Sequence, residues 1–302
     1  VSKKFTIFHV DGGVGKNIVA TSVVRAIKKN YPDRELVVVS HYPEIFIHNP
    51  NIYRVYKLGM CSYFYEDYIR NKNSLILRQE PYYSSDVINR NKNLSHAWCD
   101  SLNINFDSEK PELFFNVIEE QNADLLFKNI NNNKPVIAVQ TNGGSGYENN
   151  NITFNWYRDV PISLIQPVID KYKDVFTFVQ IRSENQPVLE NTSQVKLTIR
   201  EILLLLSKTS GSISIDSFTQ HALASFNKPS VVLWVGTSEK VFGYSKNKNI
   251  ISSYRSELDN LESYLEPYPL ITKGHQCPKN YNPYNLFDPN IIDQNFKELY
   301  LS

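Results

Sequence analysis

The sequence predicts an α/β protein built from two doubly wound units with largely parallel sheets. Two observations carry this expectation. Short apolar runs alternate with helical patterns along the chain, the order that buries parallel strands beneath helices. The series also starts twice, at residue 4 and again after "NINNNKP" at 129–135, a polar break ending in proline. A chain of 302 residues suits two ordinary domains. The expected boundary separates 1–131 from 132–302, with a last helix available to pack back on the first domain.

In the first half, "KFTIFHV" reads as a buried strand, followed by glycines and a helix. Ala20, Val23, Val24 and Ile27 recur at i, i+3, i+4 and i+7, and Lys28 and Lys29 stand where the helix dipole favours cations. Pro32 stops the helix, and "ELVVVS" at 35–40 completes a βαβ unit. Residues 60–110 show weak periodicity and read as helices and loops; 112–130 reads as a helix.

In the second half, "PVIAVQ" at 135–140 is a buried strand that runs into the polar loop "TNGGSGYENNN". "PISLIQPVIDKY" is helical, kinked or delimited by Pro167, and "VFTFVQ" is the next strand. "LTIREILLLLSKTS" opens on a capping box, Thr198 with Glu201 three residues on. "SGSISID", "SFTQHALASF" and "PSVVLWVG" then give strand, helix and strand, which completes a doubly wound order.

Hydrophobic residues make up 41% and charged residues 21%, enough for a proper core. The net charge of +1 gives no whole-chain attraction to nucleic acid or membranes. Cys61, Cys99 and Cys277 are odd in number and widely spaced, so they suggest reduced thiols rather than a zinc site or disulfide framework. No run approaches the ~18 apolar residues of a membrane span, and a soluble, cytoplasmic protein is expected.

"DGGVGK" at 11–16 invites comparison with a nucleotide-binding P-loop, G-x-x-x-x-G-K-[ST]. Counting back from Gly15 and Lys16, the first glycine position is Val10. The Mg²⁺-binding hydroxyl position is Asn17, and Asp11 would repel phosphate. A phosphate-hydrolysing loop is therefore disfavoured. Gly12, Gly13 and Gly15 still crowd four positions in a chain with only eleven glycines, which points to close backbone approach at a helix start.

Taken further, "GGVGKNIVATSVVRAIKKNYPDRELVVVS" resembles the N-terminus of the lipopolysaccharide heptosyltransferase family of glycosyltransferases, and "IHNPNIYRVYKL" resembles that family's next segment. "LTIREILLLLSKTSGSISIDSFTQHALASFNKPSVVLWVGTSEKVFGY" is similar to its donor-site block. There Asp216, Ser217, Phe218, His221, Lys228, Pro229, Gly236 and Thr237 occupy the motif positions. The resemblance implies a GT-B fold, two Rossmann-like domains facing across a cleft. The N-terminal domain would serve the acceptor and the C-terminal domain a nucleotide-diphosphate sugar. It further implies inverting sugar transfer without a bound metal or cofactor. Two positions depart from the family: Lys16 stands where an acidic residue usually follows the third glycine, and Phe218 replaces a glycine.

On this reading Ser217 and Thr219 offer hydroxyls to a diphosphate at a helix start, Ser217 reading equally as a plain N-cap. Asp216 would meet sugar hydroxyls or orient its loop. His221 would contact phosphate if protonated, and is otherwise a satisfied helix histidine. Gln140, Thr141 and Asn142, at the end of a first strand, are expected to recognise the donor, and Arg182 to clamp the diphosphate or remain solvated. Asp11 is the expected base for the acceptor hydroxyl, or else a turn residue; Lys16 would bind donor phosphate or an anionic acceptor. The acceptor suggested is a surface glycan or lipid-linked sugar, or a hydroxymethylated DNA base if the source is a phage. The aromatic stretches "CSYFYEDYIR" and "PYYSSD" would either form the acceptor surface or fill core. A nucleotide-sugar- or glycan-binding protein without transfer activity and a P-loop ATPase are the alternatives.

Overall fold

The computed structural model describes residues 3–130, 132–143, 155–255 and 280–301. The chain divides into two compact units, Val1–Glu119 and Glu120–Ser302. Cys277 and the loop beyond Gly143, up to residue 154, lie outside the described residues.

The first unit opens with β1 (Lys4–Val10), α1 (Val14–Asn30) and β2 (Glu35–Ser40), then β3 (Arg54–Lys57), α2 (Phe64–Tyr68) and β4 (Asn73–Leu77). Short helices α3 (Ser85–Ile88) and α4 (Leu94–Ser101) follow. Among the described residues its sheet runs β3-β2-β1-β4, every pair parallel, with Phe8 in register with both Val38 and Leu77. Phe5, Ile7, Val37, Val39 and Tyr68 cluster on one face. Phe8 meets the Trp98 ring at 5.5 Å on the other. The glycine turn delivers β1 into α1: Gly12 takes φ +89°, a conformation that favours glycine, and Gly13 is the N-cap. Of the middle-segment aromatics, Tyr68 is buried in the core while Tyr63 and Tyr65 are exposed.

Helix α5 (Val117–Ile130) begins five residues later than the periodicity suggests. The Asn116 side chain accepts from Glu119 N, and Glu119 Oε2 accepts from Asn116 N, both at 2.9 Å, a reciprocal cap that fixes the start. The division between units falls within this helix, upstream of the polar break.

The second unit contains β5 (Val136–Gln140), α6 (Gln166–Tyr172), β6 (Thr177–Gln180), β7 (Thr192–Gln194) and α7 (Ile199–Lys208). It continues with β8 (Gly211–Ile215), α8 (Phe218–Ser225), β9 (Ser230–Trp234), α9 (Glu239–Phe242), β10 (Lys248–Ile251) and a last helix, α10 (Pro289–Tyr300). Pro167 lies in the first turn of α6, so it delimits that helix rather than kinking it. The capping box at the start of α7 is formed: Thr198 accepts from Glu201 N at 3.3 Å and Glu201 from Thr198 N at 2.8 Å. Leu203, Leu204, Leu205 and Leu206 are buried behind it. The sheet order is β10-β9-β8-β5-β6-β7, all parallel. Counted from β5 as the first strand this is 3-2-1-4-5-6 read from the other edge, the Rossmann order. Helix α10 packs on the second unit itself, Phe296 lying 5.0 Å from Tyr172 and 5.5 Å from Phe176. The Tyr300 hydroxyl accepts from Ser212 N at 2.9 Å and lies 3.0 and 3.1 Å from the carbonyls of Ser212 and Pro229.

Both sheets therefore reverse direction once, between β1 and β4 in the first unit and between β5 and β8 in the second. Open α/β sheets take ligands outside the carboxyl ends of the strands at such a point. Among the described residues no helix is long and apolar enough to cross a membrane.

Candidate functional site

At the second unit's reversal, the loop after β5 and the start of α8 are joined by side chains that are almost wholly buried. Gln140 is the hub: its Oε1 accepts from Ser217 Oγ and Thr219 Oγ1, each at 2.5 Å, and its Nε2 donates to the Asn142 carbonyl at 3.0 Å. Thr141 Oγ1 donates to Asn142 Oδ1 at 2.9 Å, and Asn142 Nδ2 donates to Asp159 Oδ2 at 3.0 Å. Five of the residues expected to hold a donor thus form one network. Because the Ser217 hydroxyl is turned to Gln140, α8 begins without a side-chain cap, and Phe218 is half-buried at its first position.

Asp159 and Arg158, which the sequence reading passes over, complete this region. Asp159 accepts from Gly143 N and Asn155 N at 2.8 Å each. Burial raises its pKa, and these hydrogen bonds oppose the rise. Arg158 donates to the Asp216 carbonyl through Nε at 3.1 Å and through Nη2. A Cβ on Gly143 would stand 3.5 Å from its Cζ, so this cation lies between the loop after β5 and the end of β8. Both residues sit in a stretch without helical or strand periodicity; only their charge, just before the apolar "VPISLI", could have marked them.

Other expected residues are placed differently. Arg182 is committed to its own loop: Nε donates to Gln194 Oε1 at 2.8 Å, and Nη1 reaches the carbonyls of Ser183, Glu184 and Gln186, each at 2.9 Å. Gln186 Nε2 then donates to the Gly143 carbonyl at 2.6 Å, so Arg182 supports the site from behind. His221 lies 4.0 Å from Asp216 Oδ1 through Nε2, and its Nδ1 is 2.9 Å from the Tyr244 hydroxyl. Burial pushes its pKa down to about 4 against the pull of Asp216, so the imidazole is neutral at pH 7. Lys228 donates to the Ser207 carbonyl at 2.6 Å and to that of Thr209, closing the end of α7, and burial lowers its pKa to about 8. Gly236 N donates to the Tyr157 carbonyl at 3.0 Å, and the Tyr157 ring leaves no room for a Cβ there. Thr237 Oγ1 is buried without a partner among the described residues.

The first unit's reversal is built on charge. The Lys16 side chain is only 5% exposed, and Nζ pairs with Glu80 Oε2 at 2.5 Å. The ammonium lies 4.9 Å from the Tyr82 ring centroid and 5.4 Å from that of Trp98. The aliphatic stem folds over Gly12, where a Cβ would stand 2.9 Å from Lys16 Cδ. Asn17, in the place a Mg²⁺-binding hydroxyl would take, donates to the carbonyls of Gly12 (3.3 Å) and Gly13 (2.9 Å) and accepts from Ser40 Oγ at 2.6 Å. The loop is thereby tied to β2, its lysine to the end of β4; Gly15 lies within the first turn of α1. Asp11 is half-buried and makes no hydrogen bond or ion pair among the described residues. His9 is half-buried, its two ring nitrogens buried and unpartnered among the described residues. Among those residues no group of three His, Cys, Asp or Glu side chains is placed to hold a metal ion.

No protein-family model matches the chain, and no curated protein sequence matches it. Solved structures do. A family 9 glycosyl transferase from Veillonella parvula superposes with a TM-score of 0.70 at 13% identity, over 99% of this chain and 97% of that one. The ADP-heptose lipopolysaccharide heptosyltransferase II of Escherichia coli gives 0.65 at 11%, over 98% of each. The iron-containing dodecameric glycosyltransferase TibC of enterotoxigenic E. coli gives 0.63 at 13%, over all of this chain and 78% of that one. Likeness at such identities establishes the fold, which is GT-B: two Rossmann-like α/β domains with parallel sheets.

Proposed function

We propose that the chain is an inverting glycosyltransferase that moves a sugar from a nucleotide-diphosphate donor to an acceptor hydroxyl. The observation that carries this reading is the buried Gln140 network at the second unit's reversal, which presents hydroxyl and amide groups between the Asp159 carboxylate and one cation, Arg158. Neutral donors and acceptors suit sugar and ribose hydroxyls. A guanidinium suits a diphosphate, whose oxygens it matches in geometry. Gln140, Thr141, Asn142, Ser217 and Thr219 hold the donor in place, and the Thr237 hydroxyl adds a hydrogen bond. Asp216, one face of which meets His221, orients the loop.

In the transfer step the acceptor oxygen forms a bond to the anomeric carbon from the face opposite the leaving group. The bond from that carbon to the diphosphate oxygen breaks, and the nucleoside diphosphate departs with the electron pair. The acceptor proton passes to the Asp11 carboxylate. Arg158 and the uncapped start of α8 take up the charge developing on the diphosphate. The acceptor is a surface glycan, or a hydroxymethylated DNA base if the gene is a phage's.

Lys16, enclosed by Glu80 where an acidic residue is usual in the family it resembles, favours a second reading: a protein that binds the sugar nucleotide without transfer. Isothermal titration against nucleoside diphosphates and their sugars tests both. The expected result is saturable binding of at least one with a dissociation constant near the micromolar range, followed by turnover with acceptor. Binding without turnover selects the second reading, and no binding to any member refutes both.

A further inference from the structure

A single turn in the second unit lies across the carboxyl ends of three neighbouring strands. Asp159 accepts from Gly143 N, in the loop after β5, at 2.8 Å. Arg158 donates through Nε to the carbonyl of Asp216, just past β8, at 3.1 Å. The Tyr157 carbonyl accepts from Gly236 N, just past β9, at 3.0 Å. Trp156 continues the row, its carbonyl accepting from the Tyr281 hydroxyl at 2.6 Å. The Trp156 ring meets that of Tyr157 at 5.5 Å and that of Tyr281 at 5.7 Å, both edge to face. Four consecutive residues are thus pinned, and the part left over is the indole of Trp156. The chain has three tryptophans. Trp98 and Trp234 are 1% and 0% exposed, whereas Trp156 is only half-buried. The Trp234 Nε1 donates to Asn249 at 2.9 Å, but the Trp156 Nε1 makes no hydrogen bond among the described residues.

We propose that Trp156 stacks on the nucleobase of the donor, with Arg158 beside it on the diphosphate. The inference rests on the glycosyltransferase reading and deepens it by assigning the residue that recognises the base. A ring fixed through its backbone and two neighbouring rings, yet open to solvent, offers a flat apolar surface with little ordering left to lose on binding. Arg158 follows two positions on, within about 7 Å along the chain, which leaves room for one ribose between base and phosphate. Every nucleobase has a π-face. A sugar phosphate or free pyrophosphate has none, so the turn selects for nucleotides.

The experiment titrates adenosine, guanosine and uridine diphosphates into the full chain, with inorganic pyrophosphate as the probe that lacks a base. Tryptophan emission and heat are followed on the same sample. At least one nucleoside diphosphate is expected to bind and quench the emission, and pyrophosphate to leave it unchanged. Trp98 and Trp234 are sealed in the core, so the quenched ring is Trp156, and Trp156→Phe removes the response. Trp156→Ala is expected to weaken the nucleotide about tenfold or more with pyrophosphate affinity unchanged. Trp156→Phe, which keeps a smaller ring, falls between and serves the comparison if the alanine variant does not fold. A nucleotide that binds by heat without moving the emission would overturn the assignment. So would equal losses for nucleotide and pyrophosphate, the mark of a tryptophan that only shapes the turn. Heat from no nucleoside diphosphate at all would instead sink the glycosyltransferase reading, and this inference with it.

Discussion

The two sheet reversals share a topology and are built from opposite materials. In the second unit a glutamine collects hydroxyls and amides into a buried network joined to the Asp159 carboxylate and beside the Arg158 guanidinium. In the first, a lysine and a glutamate close on each other and leave a carboxylate and a histidine unengaged. The contrast teaches that one strand order can present either a hydrogen-bonded cradle whose polar groups are mutually satisfied or a charged edge with unused valence. Which one arises is decided by a few residues after each strand. Hydrogen-bonded cradles suit ligands that must be recognised and released; unengaged acid–base groups suit proton transfer.

The sharpest way to break this comparison crosses the two sites. Asp11→Asn is expected to lower turnover by about 10²–10⁴-fold with donor affinity unchanged, whereas Arg158→Ala should weaken donor binding by about tenfold or more. If both variants lose the same quantity, measured by titration and steady-state kinetics, the division of labour fails.

A second test is internal to the charged edge. Glu80→Gln leaves the Lys16 ammonium buried without its partner, and an expected loss of about 3 kcal/mol follows from breaking a buried pair. Lys16→Met should cost less, because the Glu80 side chain is 33% exposed and reaches water while Lys16 is 5% exposed. Urea unfolding of both variants checks the asymmetry; equal losses would mean that the pair is not buried in solution.

The third concerns the second unit's reversal. The folded pKa of His221 lies below its unfolded value, so the native state binds fewer protons between about pH 6.5 and 4. Its contribution is present in full above that window and is lost as pH falls through it, by up to roughly 3 kcal/mol. A His221→Gln chain should show a flatter stability profile over those pH values. His9 contributes with the same sign in both proteins and cancels in the difference.

Much of the fold was legible because its signals are local. The strand "FTIFHV", the spacing of Ala20, Val23, Val24 and Ile27, and the Thr198–Glu201 box each lie within one element and recur in the structure. Strand β7, three polar residues long, carries no apolar run and gave no signal. At the candidate sites the same divide holds. Gln140, Ser217 and Thr219 stand at strand ends or helix starts, where position alone marks them. The meaning of Lys16 depends on Glu80, 64 residues away, and that of Arg158 on a carbonyl 58 residues away. No window of sequence contains both partners. Arg182 shows the converse, a cation in a plausible place that spends its donors on its own loop.

The Tyr300 hydroxyl seals the base of β8 against a residue 88 positions earlier, at a point where Gly211 leaves the ring its space. During synthesis, β5 through β9 leave the ribosome well before that plug exists. The second unit must therefore wait with an open sheet end until nearly its whole length has emerged, while the first unit's β1–β4 sheet needs nothing beyond its own stretch of chain. Contacts across such separations slow folding. The order of assembly is thus written into the chain: the first unit's sheet closes early, and the amino-terminal end of β8 is sealed last.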